Sequence, residues 1–126
     1  MKAQITVEFM SIMVILLLAV SVISVVAINK NIEIISLNRQ REAMDVLNMA
    51  GERINTAYME GDGFITNFTL PDRIYGSQYA IFLDSNILSV SVQNITYVKP
   101  LLTKASGPLK PGENMARNQN GVVVIT

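Results

Sequence analysis

The chain contains no cysteine and no histidine. The first absence excludes disulfides and thiolate metal sites, though it does not locate the chain in any compartment. The second removes the commonest general base and the commonest metal ligand. A charge excess of either sign is also missing, because ten basic and ten acidic residues cancel. No electrostatic footprint for nucleic acid follows from such a balance. There is no phosphate-cradling glycine loop and no convergent acid pair. An enzyme is therefore disfavoured, and neither a cofactor nor a metal is expected.

Apolar residues are what the chain has, and they are concentrated at its start. Residues 9–28 contain no charge, and their only polar side chains are Ser11, Ser21 and Ser24. At about 1.5 Å rise per residue such a run spans roughly the 30 Å hydrocarbon core of a bilayer. Glu8 stands at the mouth of this run. A charge drawn into hydrocarbon costs roughly 3 kcal/mol or more, so it needs a partner. The run is too long for an ordinary secretory signal, and Ser24-Val25-Val26-Ala27 is a poor cleavage site. A retained helix is the expectation. Lys2 precedes the span, while Lys30, Arg39 and Arg41 follow it among Glu33 and Glu42, so charge alone does not orient it.

Met1-Lys2-Ala3 followed by Gln4, with Glu8, Phe9 and an immediate apolar helix, resembles the archaeal class III (type IV pilin-like) signal peptide. The resemblance covers roughly the first thirty residues. It implies cleavage by a membrane prepilin peptidase between Ala3 and Gln4. Glu8 is then the fifth residue after the cut, followed by Phe9. Thr6 stands where the family usually has serine, keeping the hydroxyl and adding a methyl. The resemblance also implies a cytoplasmic N-terminus, a body outside the membrane, and a pilus assembly ATPase with its membrane platform as partners. In such filaments the glutamate neutralises the N-terminal ammonium of a neighbouring subunit. The alternative is a carboxylate that interacts with its own helix dipole among the headgroups.

The helix is expected to continue past the apolar run, because residues 29–58 contain no proline and no glycine before Gly51. Leu37, Met44, Leu47, Gly51, Ile54 and Tyr58 form an apolar stripe at helical spacing. One helix over residues 5–58 is predicted, ended by Gly61-Asp62-Gly63. Its later half packs on the chain's own C-terminal domain, or on that domain and on neighbouring helices as well. Arg39 and Arg41 are read as a solvated helix face.

Beyond Gly63 the period changes to two. Strands are expected over residues 64–70, 75–83 and 88–92, with a continuation over 95–98 that Pro100 breaks. Residues 100–120, with Pro100, Gly107, Pro108, Pro111 and Gly112, read as a long loop. Asn120-Gly121 turns the chain into a final apolar run that reads as a central strand or one covered by the helix. The fold class is thus α+β: a long N-terminal helix packed on a small antiparallel sheet domain. The divisions are a leader at 1–3, a helix at 4–60 with a membrane or filament-core part at about 9–28, and a β domain at 61–126. A sheet that small is marginal alone.

Asn67-Phe68-Thr69 and Asn94-Ile95-Thr96 are N-glycosylation sequons, with plain sheet residues as the alternative. Glu60-Gly61-Asp62-Gly63 lacks the ligands of a calcium loop and reads as a helix-ending turn. Ser106 and Lys110 have no third group to orient them as a nucleophile. The expectation is a major or minor pilin: a structural subunit of an archaeal surface filament, held in membrane lipid before assembly and packed against copies or related pilins after it. The alternative is a single-pass membrane-anchored extracytoplasmic binding module.

Overall fold

The computed structural model describes residues 1–126. One helix, α1, runs over Lys2–Met59. Seven strands follow: β1 (Ile65–Leu70), β2 (Tyr79–Asp84), β3 (Ile87–Val92), β4 (Ile95–Pro100), β5 (Ala105–Ser106), β6 (Gly112–Gln119) and β7 (Val122–Ile125). The architecture is α+β, and it divides into two units, Met1–Leu37 and Asn38–Thr126.

In the first unit no residue is buried. Phe9, Leu17, Ile23 and Ile28 are each more than half exposed, as are most of their apolar neighbours. The helix is long and apolar enough at its start to cross a membrane, judged by length and composition.

In the second unit one face of α1 enters the core through Ala43, Val46, Leu47, Ala50, Gly51, Ile54 and Ala57. Alanine and glycine dominate, so the helix backbone lies close to what it packs against. A Cβ on Gly51 would meet Lys99 Cδ and Cε at 3.3 Å. The Lys99 stem crosses the helix there, and its Nζ donates to Asn48 Oδ1 at 2.7 Å. The expected stripe is partly corrected. Leu47, Gly51 and Ile54 are buried and Met44 packs against the core, but Leu37 and Tyr58 are exposed. At about 100° per residue the alanines set the centre of the packed face, and Leu37 lies about 120° away from it. Arg41 is solvated, whereas Arg39 is half-buried with its Nε shielded and unpartnered.

The strands form two sheets. One is antiparallel with order β2-β3-β4; the other is mixed, with order β1-β6-β7-β5. Both contribute to one core with the helix: Tyr79, Ile81, Leu88, Val90 and Val92 from the first, Phe68, Leu70, Ala116, Val123 and Ile125 from the second. Two-residue turns with positive φ close the hairpins: Gln93 (48°) and Asn94 (64°) between β3 and β4, Asn120 (54°) and Gly121 (83°) between β6 and β7.

Three strand expectations change. The second strand starts at Tyr79 because residues 74–77 form a tight turn, bridged Ile74 to Ser77, with Tyr75 at φ 46°. The sheet is not wholly antiparallel, since β5 pairs parallel with β7. The region read as a long loop contains β5 and β6. β6 alternates strictly, with Asn114, Ala116 and Asn118 inward and Glu113, Met115 and Arg117 outward. Its inward side chains are small or polar, so the period carried no apolar signal. The final run is interior to its sheet, flanked by β6 and β5, with Val123 and Ile125 buried.

Candidate processing and assembly segment

The residues around the expected cut are helical from Lys2 onward, and Ala3, Gln4, Thr6, Glu8 and Phe9 are all exposed. The first turn is held lightly: the Ile5 amide donates to Met1 O at 3.3 Å. A peptide bond at Ala3–Gln4 lies among the first few residues, where amides have no intrahelical acceptor. Unwinding it into a peptidase cleft disturbs few hydrogen bonds.

The polar atoms of the apolar segment divide into two kinds. Thr6 Oγ1 donates to Lys2 O at 2.9 Å, Ser11 Oγ to Val7 O at 2.9 Å, Ser21 Oγ to Leu17 O at 2.7 Å and Ser24 Oγ to Val20 O at 2.8 Å. Each hydroxyl is satisfied one turn back within its own helix, which lets it sit in an apolar surrounding without an external partner. The Glu8 carboxylate has no such partner. The one ion pair of the chain, Lys30 to Glu33 at 3.1 Å, is farther along and exposed, where such a pair contributes little. Glu8 is four residues after Gln4, so the two side chains share a helix face, and helical Cβ atoms tilt toward the N-terminus. Its carboxylate therefore leans toward the end that a cut before Gln4 would leave, where amide dipoles favour negative charge.

The other candidates fall in the second unit and are not brought together. Asn67 and Thr69 are exposed on β1, with Phe68 between them buried. Asn94, Ile95 and Thr96 are all exposed, beginning in the β3–β4 turn. Asp62 Oδ1 accepts from the Asn120 amide at 2.7 Å, so the Gly61-Asp62-Gly63 turn serves as a structural tie. Ser106 and Lys110 share no hydrogen bond; the Lys110 amide instead donates to Asn114 Oδ1 at 3.1 Å. No group of three or more acidic, histidine or cysteine side chains converges.

Two buried asparagines had no apolar signature in the sequence and hold the β domain's polar seams. Asn114 Nδ2 donates to Lys110 O at 2.8 Å and Gly112 O at 3.0 Å. Asn118 Nδ2 donates to Ala57 O at 3.1 Å and Tyr58 O at 3.2 Å, capping the end of α1 from a distant strand. The Tyr79 hydroxyl donates to Pro71 O at 2.6 Å. Burial, with a smaller contribution from Asp72, pushes its pKa up to about 12.

No family model, curated protein or solved structure matches the chain.

Proposed function

We propose that this chain is a structural subunit, a major or minor pilin, of an archaeal type IV pilus-like surface filament. The observation that carries the reading is the Gln4–Phe9 processing pattern at the head of a helix whose first unit buries no side chain. An apolar surface of that extent needs lipid or other helices around it. The chain would be cut by a prepilin peptidase between Ala3 and Gln4, wait in the membrane with its β domain outside, and then be drawn into a bundle of copies or related pilins by an assembly ATPase and platform. In this reading it catalyses nothing, takes no cofactor and binds no nucleic acid.

The test is the intact mass and N-terminal sequence of protein from native membranes and from sheared surface material. A chain starting at Gln4 in the sheared fraction is the expected result. A chain that starts at Met1 and stays in the membrane would overturn the filament reading and leave a permanently anchored module.

A further inference from the structure

The two sequons look alike in sequence, but the fold gives them different accessibility. We infer that Asn94 is the N-glycosylated residue of this protein and that Asn67 is left unmodified. This rests on the reading of the β domain as exterior, where a glycosyl donor and transferase meet it.

A transferase must take the sequon as a short, detachable loop and bring the Asn side-chain nitrogen to the sugar donor. At Asn94 less has to be dismantled: Asn94 itself lies outside the ladder, although Ile95 and Thr96 pair with Val92 and Ser91 and Gln93 Nε2 donates to Ser77 Oγ at 2.7 Å, and no core side chain belongs to the sequon. The β3–β4 ladder closes at Val92 and Ile95, leaving Gln93 and Asn94 as a two-residue turn. Gln93, Asn94, Ile95 and Thr96 are exposed without interruption. β4 and β1 are both edges of their sheets, so the two sequons differ in the turn position of Asn94 and in the burial of Phe68. The Asn94 φ of 64° lies in the left-handed region that asparagine tolerates better than most residues.

Asn67 is built in. It sits mid-strand opposite Met115 in a ladder that runs from Ile65–Arg117 to Leu70–Gly112. The middle residue of its sequon, Phe68, is 6% exposed and belongs to the core. Lifting Asn67-Phe68-Thr69 into a cleft would withdraw that ring from the core and peel β1 from β6.

The chemistry assigned to Asn94 is transfer from a lipid-phosphate-linked oligosaccharide. Asn94 Nδ2 forms a bond to the anomeric carbon of the first sugar. The bond from that carbon to the donor's phosphate oxygen breaks, its electron pair leaving with the phosphate. Nδ2 gives up one proton.

Glycopeptide mass spectrometry on the full chain, taken from the native host's membranes and sheared surface fraction, tests this. The Asn94 peptide should carry glycan, and occupancy at Asn67 should be at least about tenfold lower, because withdrawing a buried Phe is disfavoured by more than that factor. Asn94→Gly, which suits the positive φ, should abolish the modification with the hairpin intact. Thr96→Val should also abolish it, and Thr96→Ser should keep it. Asn67→Gln should change nothing. Bare Asn94 in the wild-type chain, or Asn67 occupied as fully as Asn94, overturns the inference. The start residue read from the same sample keeps the two readings apart. A Gln4 start in sheared material with bare Asn94 sinks only the glycosylation site. A Met1 start confined to membranes with modified Asn94 sinks only the filament.

Discussion

Replacing Asn118 by alanine should destabilise the β domain by about 3 kcal/mol, and the structure apportions that figure. Asn118 is 2% exposed and joins the end of α1 to the β6–β7 turn. The last carbonyls of a helix lack intrahelical donors. Here Thr56 O accepts from the Glu60 amide at 3.0 Å, and Tyr58 O accepts from the Gly61 amide at 3.3 Å. Ala57 O has the Asn118 amide group alone, at 3.1 Å. Truncation orphans that carbonyl, on a residue that is 0% exposed, at a cost of about 1–3 kcal/mol. Tyr58 O loses one of two donors, worth about 1 kcal/mol. The Gly121 amide loses Asn118 Oδ1 at 3.0 Å, but Gly121 is exposed and water can replace it. For a domain of this size the sum corresponds to roughly 12–24 °C in Tm. Near-UV circular dichroism of the full chain in detergent is the assay. All four tyrosines, Tyr58, Tyr75, Tyr79 and Tyr97, lie in the second unit, and there is no tryptophan. Asn118→Asp should cost more than alanine at neutral pH, since a carboxylate would face two carbonyl oxygens at the negative end of the helix. A loss below about 1 kcal/mol for alanine, or a stable aspartate variant, would refute the capping account.

If Glu8 pairs with a neighbouring ammonium as proposed, Glu8→Gln should leave membrane insertion intact and remove most sheared filament, because breaking a buried ion pair costs about 3–5 kcal/mol per subunit; unchanged filament yield on immunoblots of sheared cells would argue for a plain anchor. Gly107→Ala should cost about 3 kcal/mol or more by thermal melts, from an unfavourable φ and a steric clash together: the φ is 118°, and a Cβ there would lie 2.2 Å from Ile125 O, so a wild-type melting temperature contradicts the close approach. Tyr79 ionises later in the folded chain than in the unfolded one, whose value is 10.0. Its contribution is therefore fully present below about pH 10 and is lost as pH rises toward 12. Denaturant melts of wild type and Tyr79→Phe across that range should differ in slope with pH, and parallel curves would disprove the assignment.

Much of the fold was legible because apolar period and turn chemistry agreed. Leu88, Val90 and Val92 alternate with serines, and both β3 and its hairpin with β2 follow from that pattern with the turn at Ser85-Asn86. The helix was legible from the lack of breakers, since the chain's first glycine is Gly51. β6 was not, because its inward positions are Asn114, Ala116 and Asn118, whose fitness for burial depends on partners at Lys110, Gly112, Ala57 and Tyr58 that only the fold supplies. The same dependence hid the difference between the sequons. Phe68 looks like any strand residue until β1 pairs with β6 and turns it inward. The proposed processing segment rests on a pattern of side chains at the head of an apolar run; the structure adds that its hydroxyls are satisfied within the helix while Glu8 is not.

In the proposed filament one helix would serve two surroundings. From residue 5 to residue 28 every hydroxyl is satisfied one turn back, by Lys2, Val7, Leu17 and Val20 carbonyls. Such a surface asks nothing of its neighbours except that they be apolar, so lipid tails and packed helices are interchangeable around it. Glu8 is the one side chain in that stretch with polar atoms and no partner. Near headgroups its charge is solvated. Inside a helix bundle it must find a donor, and the ammonium that cleavage would create on Gln4 of a neighbouring copy has the right sign and lies at the right depth in the same segment. In such a bundle the carboxylate would favour one register of helix against helix over the others, which an otherwise uniform apolar surface cannot do. In the proposed filament, specificity in assembly would then rest on a single charge, while the affinity would come from the apolar run around it.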